Sequence, residues 1–198
     1  MFSLIKRLLA LKGIHYLVTR FGWTKIRGLS FDGKYERGDW NFQGEGNGEL
    51  PHVVNRYLRK GDLLIMGCGG ASVLEAVNAI GLNSALGIDL STEAIRRASR
   101  LASERISFEL ADMEAFECLR SYDVILFSES LYYVQSDKQV PLLKRLERYL
   151  KPDGVFIVTF AEARRYSDIL QRIRTNFHVV DERNFPESIR HLIVFNSS

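Results

Sequence analysis

The sequence predicts an α/β domain with a doubly wound, mostly parallel seven-stranded sheet, one antiparallel strand, and helices on both faces. Three observations predict it. From residue 50 onward, short apolar runs alternate with stretches of helical period, the pattern of strands joined by right-handed crossovers. A glycine cluster, Gly67-Cys68-Gly69-Gly70, comes directly after the first of those runs. The last two runs have no helical stretch between them, so they are expected to pair as a hairpin, which places one antiparallel strand in the sheet.

Residues 51–59 read as a helix with Pro51 near its start, where a missing N–H is harmless. Residues 63–66 form the first strand and 73–80 a helix, then 85–88 the second strand, ending at Asp89. Ser91 caps the following helix, with Glu93 in its first turn, and that helix runs to about residue 103. Residues 106–110 and 123–127 are the third and fourth strands. Ser136-Asp137-Lys138-Gln139 has the form of a capping box for a helix reaching residue 150. Lys151-Pro152-Asp153-Gly154 is a turn signal before the fifth strand at 155–160. A helix at 164–175 precedes the last two strands, at 178–180 and 192–195.

The 198 residues suit one large domain able to bury a sizeable core, here residues 49–198. Residues 30–48, with Gly33, Gly38, Gly44, Gly46 and Gly48, are expected to be a long loop behind an N-terminal helical region. Together residues 1–48 form a basic helical cap with a glycine-rich lid. The two cysteines, Cys68 and Cys118, exclude a disulfide framework and suit a reducing compartment. No apolar run reaches bilayer length, and Lys6, Arg7 and Lys12 break the N-terminal apolar stretch, so a cytoplasmic location is expected.

The net charge of +3 is uneven: residues 1–30 carry +6 with no acid, leaving −3 for the other 168. Interleaved Leu, Ile, Phe and Trp favour a capping helix with its cationic heads in water over a peripheral membrane contact, and a nucleic-acid stripe ranks below both. The four histidines are scattered, so no metal site is expected.

In an open parallel sheet, ligands bind beyond the carboxyl ends of the strands. The glycine turn after the first strand lets backbone N–H groups approach an anionic ligand, although glycine also serves ordinary turns. Asp89, after the second strand, can accept both hydroxyl hydrogens of a ribose; the plainer alternative is an acidic helix cap. After the third strand, Asp112 can accept an adenine amine with Met113 covering the ring, or be an ordinary loop acid. After the fourth come Ser128-Glu129-Ser130-Leu131-Tyr132-Tyr133, polar residues at the mouth of the sheet.

In order and spacing, residues 63–71, Gly87-Ile88-Asp89-Leu90-Ser91, Ala111-Asp112, Tyr122-Asp123-Val124-Ile125 and Leu150-Lys151-Pro152-Asp153-Gly154 resemble the class I S-adenosylmethionine-dependent methyltransferases. The Ser128–Tyr133 stretch is most similar to the branch containing the nodulation-factor N-methyltransferases, which act on sugars. The resemblance implies a Rossmann-like fold and S-adenosylmethionine as cofactor. It implies that Gly67 and Gly69 approach the methionyl part, Asp89 the ribose, and Asp112 with Met113 the adenine, with Cys68, Gly70, Leu90 and Ser128 as further cofactor-binding candidates. Two positions depart from the family: Ile65 stands where an acid is usual, two before the first glycine, and Ala71 replaces the third glycine.

Methyl transfer is an in-line displacement that depends mostly on positioning. Glu129 is the first candidate for acceptor contact or general base, with Tyr132 and Tyr133 as lining and His52 or His178 as further possibilities. Tyr35, Trp40 and Phe42 are candidates to close over the acceptor. The acceptor is expected to be a small molecule, with a sugar or glycan as the finer expectation. A non-catalytic binding module of the same fold, motivated by Ile65, is the second hypothesis. A nicotinamide dehydrogenase ranks third: Ser72 spoils its glycine pattern, and Asp112 and the Ser128–Tyr133 stretch have no role in it.

Overall fold

The computed structural model describes residues 2–21, 24–39, 48–80, 82–161, 163–185 and 190–197. Strand alternation sorts the apolar side chains of the sheet onto two faces. The strands are β1 (Asp62–Met66), β2 (Ser84–Asp89), β3 (Ile106–Leu110), β4 (Tyr122–Ser128), β5 (Leu150–Phe160), β6 (His178–Phe185) and β7 (Arg190–Asn196). Leu63 and Ile65, Val124 and Leu126, Val155 and Ile157, and Leu192 and Val194 face one way. They bury against α4 (Leu50–Leu58), through Val53, Val54 and Leu58, and α5 (Ser72–Ile80), through Val73, Leu74 and Val77. Leu64 and Met66, Ile125 and Phe127, Phe156 and Val158, and Ile193 and Phe195 face the other way. There they meet α7 (Ser136–Leu146) and α8 (Ser167–Asn176) through Leu142, Leu143, Leu146, Ile169, Leu170 and Ile173. Burial on both faces is why these strands read as near-continuous apolar runs.

The sheet order is β3-β2-β1-β4-β5-β7-β6. The pairs from β3 through β5 are parallel, whereas β7 runs antiparallel to both β5 and β6. The doubly wound, mostly parallel sheet with a terminal hairpin therefore stands as the sequence predicted. The order reverses between β1 and β4, which opens a crevice beyond their carboxyl ends.

The N-terminal region holds α1 (Phe2–Leu9), α2 (Lys12–Phe21) and α3 (Thr24–Glu36). Residues 30–36, expected in a loop, are helical. Gly33, which looked like a turn residue, serves close packing instead, as does Gly28. A Cβ on Gly33 would lie 2.1 Å from the carbonyl oxygen of Lys6 on α1, and one on Gly28 would lie 2.7 Å from that of Leu90. Trp40, Phe42, Gly44 and Gly46 fall outside the described residues.

Other local expectations divide. Ser91 does cap α6 (Thr92–Ala98), accepting the Ala94 N–H at 3.1 Å, and Pro51 does open α4. The capping box at Ser136 does not form, because Gln135 holds the cap position. Gln139 turns inward instead, donating to the Val134 carbonyl and accepting from Arg172. The Lys151–Gly154 turn is a bulge within β5: Tyr122 pairs with Leu150 but Val124 with Val155, and Asp153 has φ 66°. The Lys151 ammonium bridges Asp62 and Asp123 at 2.6 and 2.7 Å, beside the start of β1. Both α6 and α7 end in a 3₁₀ turn, so the α-helices stop a few residues short of expectation. Among the described residues no helix is long and apolar enough to cross a membrane.

Candidate active site

The carboxyl ends of β1, β2, β3 and β4 converge on one cavity of about 240 Å³. It is lined by Gly67, Cys68, Gly69 and Gly70, by Asp89 and Leu90, by Asp112 and Met113, and by Ser128, Glu129, Tyr132 and Tyr133. Among the described candidates, His52 and His178 are absent from this lining: His52 is exposed on α4, whose apolar residues turn to the sheet. His178 is likewise exposed, on edge strand β6.

The glycine turn is shaped by contacts that exclude side chains. Gly67 has φ 74°, and a Cβ there would lie 2.7 Å from the Ser130 Cβ. Its N–H and that of Cys68 both donate to the Ile88 carbonyl, which ties the turn to the end of β2. Gly69 has φ 55° and donates its N–H to Asp89 Oδ2 at 2.9 Å. Gly70 has open space where a Cβ would sit. Ala71 sits at φ 59°, a left-handed conformation that costs a Cβ-bearing residue about 1 kcal/mol. The resemblance places a glycine at that position.

Asp89 lines the cavity and also braces the start of α6, whose cap is Ser91. Its Oδ1 accepts the Ser91 N–H at 2.9 Å, while the same carboxylate lines the cavity. Burial raises its pKa to about 6, against the opposing effect of backbone donors from Ser91, Gly69 and Leu90. Asp112 likewise lines the cavity while its carboxylate accepts from Thr24 Oγ1 at 3.0 Å and the Glu114 N–H at 3.0 Å. Arg27 reaches Asp112 at 3.5 Å and Glu114 at 2.7 Å.

The wall contributed by β4 is strained and pinned. Glu129 has φ 57°; its N–H donates to Thr159 Oγ1, and its Oε2 accepts the Ala161 N–H at 2.6 Å. Ser130 Oγ donates to the Met66 carbonyl at 2.5 Å, which locks the ends of β4 and β1 together. Left-handed non-glycine residues at a cavity are a mark of functional sites. Tyr132 and Tyr133 come next in a 3₁₀ turn, Tyr132 stacking on Tyr166 at 4.6 Å and Tyr133 edge-on to Phe31 at 5.1 Å. Burial pushes Tyr133 up to about 12 and lifts Tyr132, Tyr35 and Cys68 well above their ordinary values. All four are therefore neutral at physiological pH, acting as hydrogen-bonding or apolar lining.

Sequence reasoning missed the contribution of α3. Arg27, Phe31 and Tyr35 recur at four-residue spacing, so one helical stripe presents all three to the cavity. Tyr35, expected in a lid loop, lines the cavity from this helix. Its backbone carbonyl accepts from Arg97 at 2.8 Å, and the same guanidinium lies 5.2 Å over its ring. The i, i+4, i+8 spacing was the available signal. The glycines around it suggested a loop instead. Ile65, where the family has an acid, is buried and lines the cavity floor as a purely apolar group.

Among the described residues no cluster of three or more His, Cys, Asp or Glu is arranged to hold a metal ion. Residues 63–154 match the family described as "Methyltransferase domain". A ubiquinone biosynthesis O-methyltransferase of Rickettsia akari (strain Hartford) is 32% identical over 108 residues, which are 53% of this chain and 42% of that relative's length. The chain thus spans less than half of that curated relative. Among solved structures, the N-methyltransferase NodS from Bradyrhizobium japonicum WM9, in complex with S-adenosyl-l-homocysteine, superposes with a TM-score of 0.64 at 19% identity, over 80% of this chain and 91% of its own. The 1,6-didemethyltoxoflavin-N1-methyltransferase of Burkholderia thailandensis gives a TM-score of 0.70 at 17% identity, over 85% and 86%.

Proposed function

We propose that this chain, whose residues 63–154 match a methyltransferase domain family, transfers a methyl group from S-adenosylmethionine to an oxygen or nitrogen of a small molecule. One observation carries the proposal: a single cavity joins a nucleoside-binding set, Asp89, Asp112 and Met113, to an acceptor-side set, Glu129, Tyr132 and Tyr133. The residues fit the cofactor. The glycine turn lacks side chains where the methionyl part passes, and the ionised Asp89 keeps lone pairs for two ribose hydroxyls. Asp112 and Met113 meet the adenine, with Leu90 and Ser128 completing the walls.

When bound, S-adenosylmethionine supplies an electrophilic methyl carbon that an acceptor lone pair can displace in line. The protein provides position and a dry, shaped wall, effects that supply about 7–11 kcal/mol in well-oriented reactions. Phe31, Tyr35, Tyr132 and Tyr133 exclude water on the acceptor side. Glu129 orients the acceptor and takes the proton a hydroxyl must lose; an amine needs only to arrive neutral. A sugar or glycan acceptor is the finer reading, supported by the Ser128–Tyr133 stretch and by aromatic faces on which sugar C–H groups pack. We place the reaction in the cytoplasm, with residues 1–48 as its cap.

Calorimetry with S-adenosylmethionine, followed by methyl-transfer assays on amine, phenol and sugar acceptors, tests the proposal. Absence of binding heat sinks it. Binding without turnover on any acceptor favours a non-catalytic binding module, the second reading, which the apolar Ile65 in the cavity wall supports. Glu129→Gln is expected to lower turnover on hydroxyl acceptors by about 10²-fold or more while leaving cofactor affinity within a few-fold.

A further inference from the structure

The N-terminal helices carry an apolar face that the fold does not use. Among the described residues eight large apolar side chains are exposed, and five of them, Leu4, Ile5, Leu8, Leu11 and Leu17, fall within fourteen residues of one another on α1, α2 and the turn between them. Their exposure is not a sign of a loosely attached helix. The opposite face of α1 is docked: Gly33 of α3 meets the Lys6 carbonyl too closely for any side chain, Ala10 is fully buried, and Lys6 pairs with Asp32 and Glu36, each at 3.1 Å. Leu4 and Leu8 recur at i and i+4, so they form one outward stripe on a helix whose inward face is committed, and Leu11 is exposed in the turn that follows it.

The charges beside that stripe say what covers it. Arg7, Lys12 and Lys25 are exposed, and residues 1–30 contain no acid. The first acid in the chain, Asp32, is buried and bound to Lys6 and to the start of α6. An apolar stripe on a segment that contributes only cations, with Glu36 of α3 paired to Lys6, matches a surface that is apolar within and anionic at its rim, namely a bilayer with acidic headgroups. We infer that α1 and α2 seat this protein on an anionic lipid surface, lying on it rather than spanning it. The helix α3 that grips α1 also lines the cavity through Arg27, Phe31 and Tyr35, so seating α1 holds the cavity at a fixed distance from the lipid.

Co-sedimentation of the full chain with phosphatidylcholine vesicles, with and without phosphatidylglycerol, tests this directly. The protein is expected to pellet with the anionic vesicles, far less with pure phosphatidylcholine, and less again as salt is raised. The pair Leu4→Gln and Leu8→Gln is expected to weaken partitioning at least about tenfold, since each leucine loses its transfer into the bilayer. A second variant, Arg7→Ala with Lys12→Ala and Lys25→Ala, is expected to lose only the preference for anionic vesicles. Unchanged melting and unchanged cofactor heat in both variants keep the outcome separate from the methyltransferase proposal. Pelleting that survives the leucine substitutions overturns the inference, as does wild-type protein that stays in solution with anionic vesicles. A concentration-dependent dimer that Leu4→Gln and Leu8→Gln dissolve overturns it too, by assigning the face to a second copy of the chain.

Discussion

Gly67 and Ala71 sit four residues apart, both left-handed, and the consequences of changing them are opposite. Gly67→Ala adds a Cβ at 2.7 Å from Ser130 in a conformation that penalises it. The expected loss is about 2–4 kcal/mol by chemical denaturation, with cofactor binding weakened as the turn shifts. Ala71→Gly relieves strain but loses a buried methyl and adds unfolded-state entropy, so stability should stay within about 1 kcal/mol of wild type. A large loss there would show that the Ala71 methyl is needed for packing.

Asp89 makes the cofactor site pH-sensitive. Its carboxyl is raised by burial to about 6, and only the ionised form accepts both ribose hydroxyls. Cofactor affinity is therefore expected to hold above pH 6 and fall by about tenfold per pH unit below it, with a proton released on binding near that pH. Asp89→Asn should remove this dependence and cost at least about 1.5 kcal/mol of binding. Calorimetry in buffers of different ionisation enthalpy measures both. An affinity that stays flat from pH 5 to 8 in the unsubstituted protein would place the ionisable group elsewhere.

At the scale of elements, α3 is the hinge of the design. Asp32 is one of the side chains that join it to the body: it accepts from Ser91 Oγ, Thr92 Oγ1 and the Glu93 N–H at the start of α6, and pairs with Lys6 of α1. Burial alone would raise its carboxyl; these donors outweigh it and hold the pKa below the ordinary value. Asp32→Ala leaves the buried Ser91 hydroxyl and the α6 terminus without their acceptor, at a cost of about 3 kcal/mol. Hydrogen exchange should then rise in α1–α3 while β1, β4 and β5 remain protected. Uniform loss of protection across the sheet would mean that the cap and the sheet unfold together.

At the scale of the whole molecule, two sets of groups set the acid response. Asp32, Asp62, Asp181 and Glu182 are held below their ordinary values, and Glu93 is lowered to about 2, chiefly by the hydrogen bond from Arg96. For these groups the unfolded chain binds protons first, so their stabilisation is present above the unfolded values near 4 and is lost as pH falls below them. His15 is also lowered, from 6.5 to about 4 by burial, so its contribution is lost between those limits. Asp89 has the opposite sign: its raised pKa adds stability as pH falls from about 6 to 3.8. The expected result is nearly flat stability from pH 7 to about 5 and a steep decline below about 4, measured by denaturation at each pH. In His15→Gln the opposing contribution of Asp89 should emerge as a small gain in stability on going from pH 6 to 5.

The cavity shows where legibility stopped. The strand ends were readable because buried parallel strands announce themselves as apolar runs, and the residues just beyond each run must sit at the mouth of the sheet. The reading therefore brought Gly67, Asp89, Asp112 and Glu129 to one place. Gly33 misled because glycine that permits a turn and glycine that permits two backbones to touch look the same in a sequence. His52 misled although the period of Val53, Val54 and Leu58 already puts it on the face of α4 turned away from the sheet. Ser136 failed as a cap because the helix starts one residue earlier, with Gln135 at the cap and Gln139 turned inward.

By itself, then, the chain's pattern of residues determined the sheet, its hairpin, and the cluster of chemistry at the strand ends, since these arise from local periodicity and a general rule of topology. Only the tertiary structure decided that α3 closes the cavity with Arg27, Phe31 and Tyr35, and that Arg27 meets Asp112 across more than eighty residues of chain. Contacts of that kind depend on how one helix is rotated against a distant surface, and that rotation is set by close packing at Gly28, Gly33 and Asp32, which no local period encodes.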